Sequence, residues 1–172
     1  MRNKVFCLIC LLFFSTWSVL FCQTRPQKKI VEFCHVTSVD DVVYPSVIQK
    51  HINEMEKRPF DGLIFRLRNY NHMSDPRLWD KDDVKSQIDT LRMIKWGRFT
   101  DNFLFLYVTD KWDMNWFNDD QWNNIIHNMK LISKAAKAGN CAGICLDVEP
   151  YGDGIFQYPG PKDKYASKSF TE

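Results

Sequence analysis

The sequence predicts an α/β fold in which four short strands alternate with three helices, and two observations support this prediction. Apolar residues recur with a period of two in short segments and with helical spacing in the longer segments between them. Each predicted helix ends near a glycine or a proline, after which the next strand begins. This alternation predicts right-handed crossovers and a parallel sheet.

The composition is that of a globular protein, but the first 22 residues stand apart. The 172 residues are 45% hydrophobic and 26% charged, and nothing in this balance indicates disorder. Arg2 and Lys4 precede an uncharged stretch, 5–21, which predicts a cleaved secretory signal over 1–22, with an uncleaved anchor as the alternative. We therefore expect a secreted or periplasmic protein with one domain over 23–172.

Charge and cysteine content argue against several classes of function. Loss of Arg2 and Lys4 with the leader removes the formal net charge of +2, so neither nucleic acid nor an anionic membrane is expected as a partner. The cysteines beyond the leader are odd in number and fall in predicted strands, which indicates small buried side chains rather than a disulfide framework. These cysteines are Cys34, Cys141 and Cys145.

The first two strands and the first helix are predicted between residues 30 and 68. The first strand is 30–36, and the helix is 44–57, where apolar residues follow helical spacing. The second strand is 63–68. Its alternation places Arg66 and Arg68 on the face opposite its leucines and phenylalanine.

A polar loop, 69–81, separates the second strand from the second predicted helix. Asp82 or Asp83 is expected to cap that helix, and Gly97 to end it. The third strand, 102–110, follows directly.

The chain between the third and fourth strands holds an aromatic loop, 111–118, and the third helix. Asp119 or Asp120 is expected to cap this helix, and Gly139 to close it. Four strands therefore alternate with helices, which is half the number of units in an eight-stranded β/α barrel.

The segment 141–152 reads C-A-G-I-C-L-D-V-E-P-Y-G and carries the clearest functional pattern. Its even positions are apolar and its odd positions are small or acidic, as in a strand with two different faces. Asp147 and Glu149 lie on one face at the C-terminal end, and Pro150 ends the strand. In a β/α barrel, this end of each strand carries the catalytic groups.

Three observations predict the N-terminal half of a (β/α)8 TIM barrel, truncated at its C-terminal end. About four βα units are present, whereas such a barrel needs roughly 250 residues. The last residues, Ser169 to Glu172, form an S-x-x-E pattern typical of a helix start. No glycine-rich loop follows the first strand, which argues against a nucleotide-binding doubly wound sheet. We expect an isolated half barrel to be inactive and prone to aggregation through its open sheet edges.

Glu149 is predicted to be a general acid/base, with Asp147 as its electrostatic partner. Two carboxylates this close on one strand face resist joint ionisation, so an ionised Asp147 keeps Glu149 protonated near neutral pH. A glycosidase needs such a proton donor beside the leaving group of a sugar. The alternative is a structural acid pair that binds loop backbone or the side chains of Arg66 and Arg68.

The stretch G-I-C-L-D-V-E-P-Y resembles the fourth-strand signature of family 18 glycoside hydrolases, D-G-I-D-I-D-W-E. The resemblance implies a barrel glycosidase in which Glu149 is the general acid and Asp147 assists the acetamido group of the substrate. Ala142 and Cys145 replace the first two aspartates of that signature, and Val148 replaces its tryptophan. The match therefore supports a glycoside-hydrolase-like barrel more than a chitinase.

Further residues are predicted to bind substrate at the same end of the sheet. The arginines suit a carboxylated or sulfated sugar, with a structural ion pair, for example to Glu32, as the alternative. Aromatic side chains in rim loops suit stacking on sugar rings, with packing onto the next helix as the alternative. The candidates are Arg66, Arg68, Asn69, Tyr107, Trp112, Trp116 and Tyr151.

These patterns predict a secreted glycoside hydrolase that acts on an oligo- or polysaccharide without a metal or cofactor. The histidines of the sequence do not form a pair suited to bind a metal, and no zinc-protease motif occurs. Two alternatives remain open. One is a non-catalytic carbohydrate-binding barrel with structural acids, and the other is a metal-dependent barrel hydrolase.

Overall fold

The computed structural model describes residues 28–34, 43–108 and 114–148, which form an α/β fold with one parallel sheet. The strands lie in the order β1–β2–β3–β4, and every neighbouring pair is parallel. The predicted alternation and parallel pairing are thus confirmed for these residues. The elements are β1 (Val31–Phe33), α1 (Pro45–Met55), β2 (Gly62–Phe65), α2 (Lys81–Met93), β3 (Phe103–Val108), α3 (Asp119–Ala138) and β4 (Gly143–Val148).

The two faces of the sheet have different surroundings. On one face, the leucines of β2 and β3 and the apolar stripes of all three helices form a single core. Burial of each large apolar side chain there contributes about 1.5–3 kcal/mol. The core includes Ile48, Ile52, Leu63, Phe65, Val84, Ile88, Leu104, Leu106, Leu131 and Ile132. The opposite face, which we call the open face, carries the residues that alternate with these along the strands.

Asn102 joins three strands at the end of the sheet opposite the candidate site. Its side chain accepts a hydrogen bond from Leu63 N at 3.1 Å and donates one to Phe99 O at 2.8 Å. Its own carbonyl accepts from Ala142 N at 2.7 Å. Because Asn102 is only 1% exposed, these bonds satisfy polar groups that water does not reach.

The cap of α2 is Asp80, so the prediction of Asp82 or Asp83 is wrong. Asp80 Oδ1 accepts hydrogen bonds from Asp82 N at 2.8 Å and from Asp83 N at 3.2 Å. Several acidic residues follow one another here, and the sequence alone did not fix which one begins the helix. The two later aspartates lie in the first turn, where the helix dipole favours negative charge.

The cap of α3 is Asn118, not Asp119 or Asp120. Asn118 Oδ1 accepts a hydrogen bond from Gln121 N at 3.1 Å. The helix therefore starts one or two residues earlier than predicted, and the two aspartates again occupy its first turn.

The glycines at the helix ends differ in part from their predicted roles. Helix α2 ends at Met93, and Gly97 lies in the following turn at φ +52°. Gly139 is the C-cap of α3 as predicted, but its φ is −82°. The next residue, Asn140, has the left-handed conformation instead, at φ +50°, which asparagine tolerates.

Candidate functional site

Tyr107 and Asp147 lie side by side on the open face, near the C-terminal ends of β3 and β4. The two residues are direct partners in the parallel register, and neighbouring strands are about 4.8 Å apart. Asp147 is half-buried. Burial, and then the charge of Asp147, raise the pKa of the Cys145 thiol, which shares this face. The sequence pattern placed Asp147 on this face correctly.

Arg66 follows β2 directly and reaches Tyr107. Its Nη1 donates a hydrogen bond to Tyr107 Oη at 3.4 Å, and its guanidinium carbon lies 5.9 Å from the centroid of the ring. The half-buried guanidinium has an Nε without a hydrogen-bond partner among the residues described. The open face therefore carries an arginine, a tyrosine and an aspartate at the C-terminal ends of three successive strands.

The predicted alternative of an ion pair between Arg66 and Glu32 is wrong. Glu32 is in register with Leu63, on the helix-covered face, whereas Arg66 belongs to the open face. Within the described ranges, neither Arg66 nor Arg68 forms an ion pair with any acid, Asp147 included.

His72 belongs to the site, although the sequence did not indicate it. Tyr107 N donates to Asn71 O and Met73 N donates to Tyr107 O, both at 2.7 Å, so His72 pairs with Tyr107 as an isolated bridge. The two rings stack with centroids 5.5 Å apart and planes 29° apart. A single bridging residue in a polar loop leaves no periodic pattern in a sequence, which explains why it was missed.

These residues border a cleft of about 490 Å³ at the C-terminal end of the sheet. A second cleft of about 280 Å³ shares Asn69 and Arg77 with it. Among the residues that the structure describes, no carboxylate lines the larger cleft. Its lining residues are Tyr44, Arg66, Leu67, Asn69, Asn71, His72, Arg77 and Tyr107.

Asp75 and Asn128 hold the loop that forms one wall of the cleft. The Asp75 carboxylate accepts two hydrogen bonds from the Arg77 guanidinium, both at 2.9 Å, and one from Trp79 Nε1 at 3.1 Å. Burial by itself raises the pKa of Asp75, but the hydrogen bonds from Arg77 and Trp79 outweigh it and lower the pKa below its ordinary value. Asp75 is therefore ionised and structural.

Arg68 and Asn69 were both predicted to bind substrate, and they occupy different positions. Arg68 is exposed, and its guanidinium lies 4.9 Å above the ring of Tyr44, a residue of the cleft. Its backbone N and O pair with the side chain of Gln87, at 2.7 and 3.2 Å. Asn69 lines both clefts and has φ +67°, which asparagine tolerates better than most residues.

Trp116 packs against α3, which was the predicted alternative to stacking on a sugar ring. Its ring centroid lies 5.1 Å from that of Trp122 in α3, and its carbonyl accepts from Trp122 Nε1 at 2.8 Å. Glu149, Trp112 and Tyr151 lie outside the described residues. Their predicted roles remain predictions.

The described ranges contain free thiols, but neither a metal-binding cluster nor a helix that could span a membrane. Cys34, Cys141 and Cys145 are free thiols as predicted, but all three are half-buried rather than buried. The described parts of the chain contain no group of three or more histidine, cysteine, aspartate or glutamate side chains arranged to hold a metal ion. No helix there has the length and apolarity required to cross a bilayer.

Comparison with known proteins gave no relatives. No protein-family model matches the chain, and no curated protein or solved structure matches it either.

Proposed function

We propose that this chain is the first half of a (β/α)8 barrel that hydrolyses glycosidic bonds, with Glu149 as general acid/base and Asp147 as its partner. The observation that supports this proposal is the position of Asp147. It lies on the open face beside Tyr107, at the C-terminal ends of the strands. That end is where β/α barrels carry their catalytic groups.

The sheet order favours a barrel over a doubly wound sheet. A doubly wound sheet reverses its strand order and is covered by helices on both faces. Here the order is sequential, and the core contains all three helices on one face. Sequential strand order with helices on one face is also the arrangement of a (β/α)8 barrel, in which the open face would be the interior.

The apolar face of β4 also fits a barrel with further units. Ile144, Leu146 and Val148 are 37%, 50% and 56% exposed, although they alternate with the open-face residues and so lie on the helix side. In a complete barrel, the next helix covers this strand.

The chemistry of the proposal rests on the two acids. In this proposal the alternation of residues along the sequence continues to Glu149, so that its carboxylate would share the face of Asp147. The charge of Asp147 then favours the protonated form of Glu149, which can donate its proton to the leaving oxygen of a sugar. The Tyr107 and His72 rings and the polar cleft beside them supply contacts to the glycan.

The test is hydrolysis of a panel of polysaccharides by the full-length protein, measured as release of reducing ends. We expect Glu149→Gln to lower turnover by about 100-fold or more, because general acid catalysis contributes that much. Glu54→Gln is the matched control, since Glu54 is exposed on α1, and should retain full turnover. Circular dichroism would show that both variants keep the fold.

Three outcomes would contradict the proposal in different ways. Undiminished turnover in Glu149→Gln removes this residue from the mechanism. Glycan binding without cleavage, unchanged in Glu149→Gln, indicates a non-catalytic carbohydrate-binding barrel. Loss of turnover with a chelator indicates a metal-dependent hydrolase.

A further inference from the structure

We propose that the larger cleft binds the anionic substituent of a sugar, a carboxylate or a sulfate, and that Arg66 is the residue that recognises it. The identification of the ligand as a sugar rests on the function proposed above. The recognition of an anion rests on the cleft itself.

Arg66 has an unused hydrogen-bonding edge. Its Nε is buried and has no partner among the described residues, and its one hydrogen bond there, to Tyr107 Oη, is long at 3.4 Å. A buried donor without an acceptor is costly, and a half-buried cation without a counter-ion is costly as well. The Nε and Nη groups of a guanidinium form a fork that matches two oxygens of a carboxylate or sulfate.

No acidic side chain in the described part of the chain compensates the charge of Arg66. The cleft-lining residues within the described ranges include no aspartate or glutamate. The other arginine of the cleft, Arg77, forms an ion pair at 2.9 Å with the buried carboxylate of Asp75. Arg66 forms no such pair in the described parts of the chain. The cleft therefore has a positive charge that favours an anionic ligand.

The remaining lining suits a sugar better than a nucleotide. Asn69 and Asn71 provide neutral hydrogen-bonding groups, and Tyr107 and His72 provide aromatic rings. Arg66 follows β2, and Asp147 lies on β4. The two residues are therefore separated by two strand spacings, which is about 10 Å. The anion would thus bind in a subsite beside the acids, on a sugar unit next to the cleaved bond.

The experiment measures binding of three probes to the full-length protein by titration calorimetry at low and high salt. The probes are D-glucuronate, glucose 6-sulfate and uncharged glucose. We expect at least one anionic probe to bind about tenfold or more tightly than glucose, because hydrogen bonds to charged groups are worth that much. The tighter of the two anions identifies carboxylate or sulfate as the natural group. Equal binding of all three probes would overturn the proposal without reference to any variant.

Two variants and a control then test Arg66 itself. Arg66→Gln should abolish the preference for the anion, and Arg66→Lys should retain only part of it because lysine lacks the planar fork. Lys134→Gln removes the same charge from an exposed position on α3 and should change nothing. A preference that survives in folded Arg66→Gln would contradict the assignment.

The two proposals fail independently. An Arg66-dependent preference for the anion in a protein that cleaves no glycan would support the anion subsite and contradict the proposed hydrolase activity. Cleavage of neutral glycans at a rate that Arg66→Gln does not change would support the hydrolase activity and contradict the anion subsite.

Discussion

The side chain of Asn128, on α3, accepts a hydrogen bond from the backbone N of Trp79 at 3.0 Å. The same amide donates to Arg77 O at 2.8 Å and to Asp75 O at 3.3 Å. Asn128 is fully buried, with 0% exposure. One side chain on the third helix therefore fixes the loop after β2, and that loop forms a wall of the cleft.

Replacement of Asn128 by alanine should destabilise the protein strongly. The change leaves one backbone N–H and two carbonyls of the loop without this partner in a buried position. We expect the free energy of unfolding to fall by about 2–4 kcal/mol, because each buried unsatisfied group costs about 1–3 kcal/mol. Urea denaturation measures the change.

Asn124, one turn earlier on α3, offers a matched control. It makes one hydrogen bond to the same loop, from Nδ2 to Pro76 O at 3.0 Å, and is only half-buried. Asn124→Ala should cost about 1 kcal/mol or less. Equal effects of the two substitutions would show that Asn128 does not organise the loop.

The ion pair of Asp75 predicts a pH-dependent stability. The hydrogen bonds of Arg77 and Trp79 hold the pKa of Asp75 below its ordinary value in the folded protein. A lowered folded-state pKa contributes stability above the unfolded value, about 3.9, and loses it as pH falls through the folded value. Asp75→Asn should therefore lower the free energy of unfolding by about 1.5–3 kcal/mol at pH 7. The difference from the wild type should shrink below about pH 4.

Denaturation curves between pH 2.5 and 7 would measure this difference, with Asp89→Asn as the control. Asp89 also forms ion pairs with Lys85 and Arg92, but these lie on the exposed surface of α2. Solvent screens such pairs, so the control should change stability much less. A difference between wild type and Asp75→Asn that stays constant across this pH range would exclude ionisation of Asp75 as its cause.

Two glycines on the open face should respond differently to alanine. A Cβ added to Gly62 would lie 2.0 Å from Asp101 O, a backbone atom that cannot rotate away. A Cβ added to Gly143 would meet the ring of Phe103 at 3.4 Å, which is an ordinary contact. We expect Gly62→Ala to lower the free energy of unfolding by about 1–3 kcal/mol or more and Gly143→Ala to have little effect. Thermal unfolding of the two variants would measure this difference in stability. A Gly62→Ala variant as stable as the wild type would contradict the close approach of β2 to the 101–102 segment.

The elements with strong periodicity were predictable from the sequence, and the ends of the helices were less so. Apolar spacing located the three helices and four strands, because burial on one face of the sheet selects that spacing. The cap of α2 was predicted wrongly because Asp80, Asp82 and Asp83 are chemically equivalent candidates. Which of them begins the helix depends on where the loop before α2 is anchored. That anchor is Asn128, 45 or more residues later in the chain, and no local pattern reports such a contact.

The site was predictable only where it follows a strand. Alternation placed Tyr107 and Asp147 on the correct face, and it also separated Arg66 from the core. His72 and Asn71 enter the site through backbone pairing of a loop with β3. Such pairing depends on the path of the loop, which the buried Asp75 and Asn128 determine, rather than on any residue spacing.

The Cys145 thiol offers a way to detect the charge of Asp147 on the open face. Burial, and then the charge of Asp147, raise the pKa of Cys145. Burial also raises the pKa of Cys34 and of Cys141 to about 12, with the charge of Glu32 as a second cause at Cys34. Asp147→Asn removes the negative charge, so the pKa of Cys145 should fall and its thiolate should form at lower pH. Iodoacetamide labelling across pH 7–10, read by mass spectrometry of each cysteine peptide, should show faster modification of Cys145 in the variant and unchanged rates at Cys34 and Cys141. An unchanged rate at Cys145 would mean that Asp147 carries no charge beside it, which would also remove the electrostatic partner proposed for Glu149.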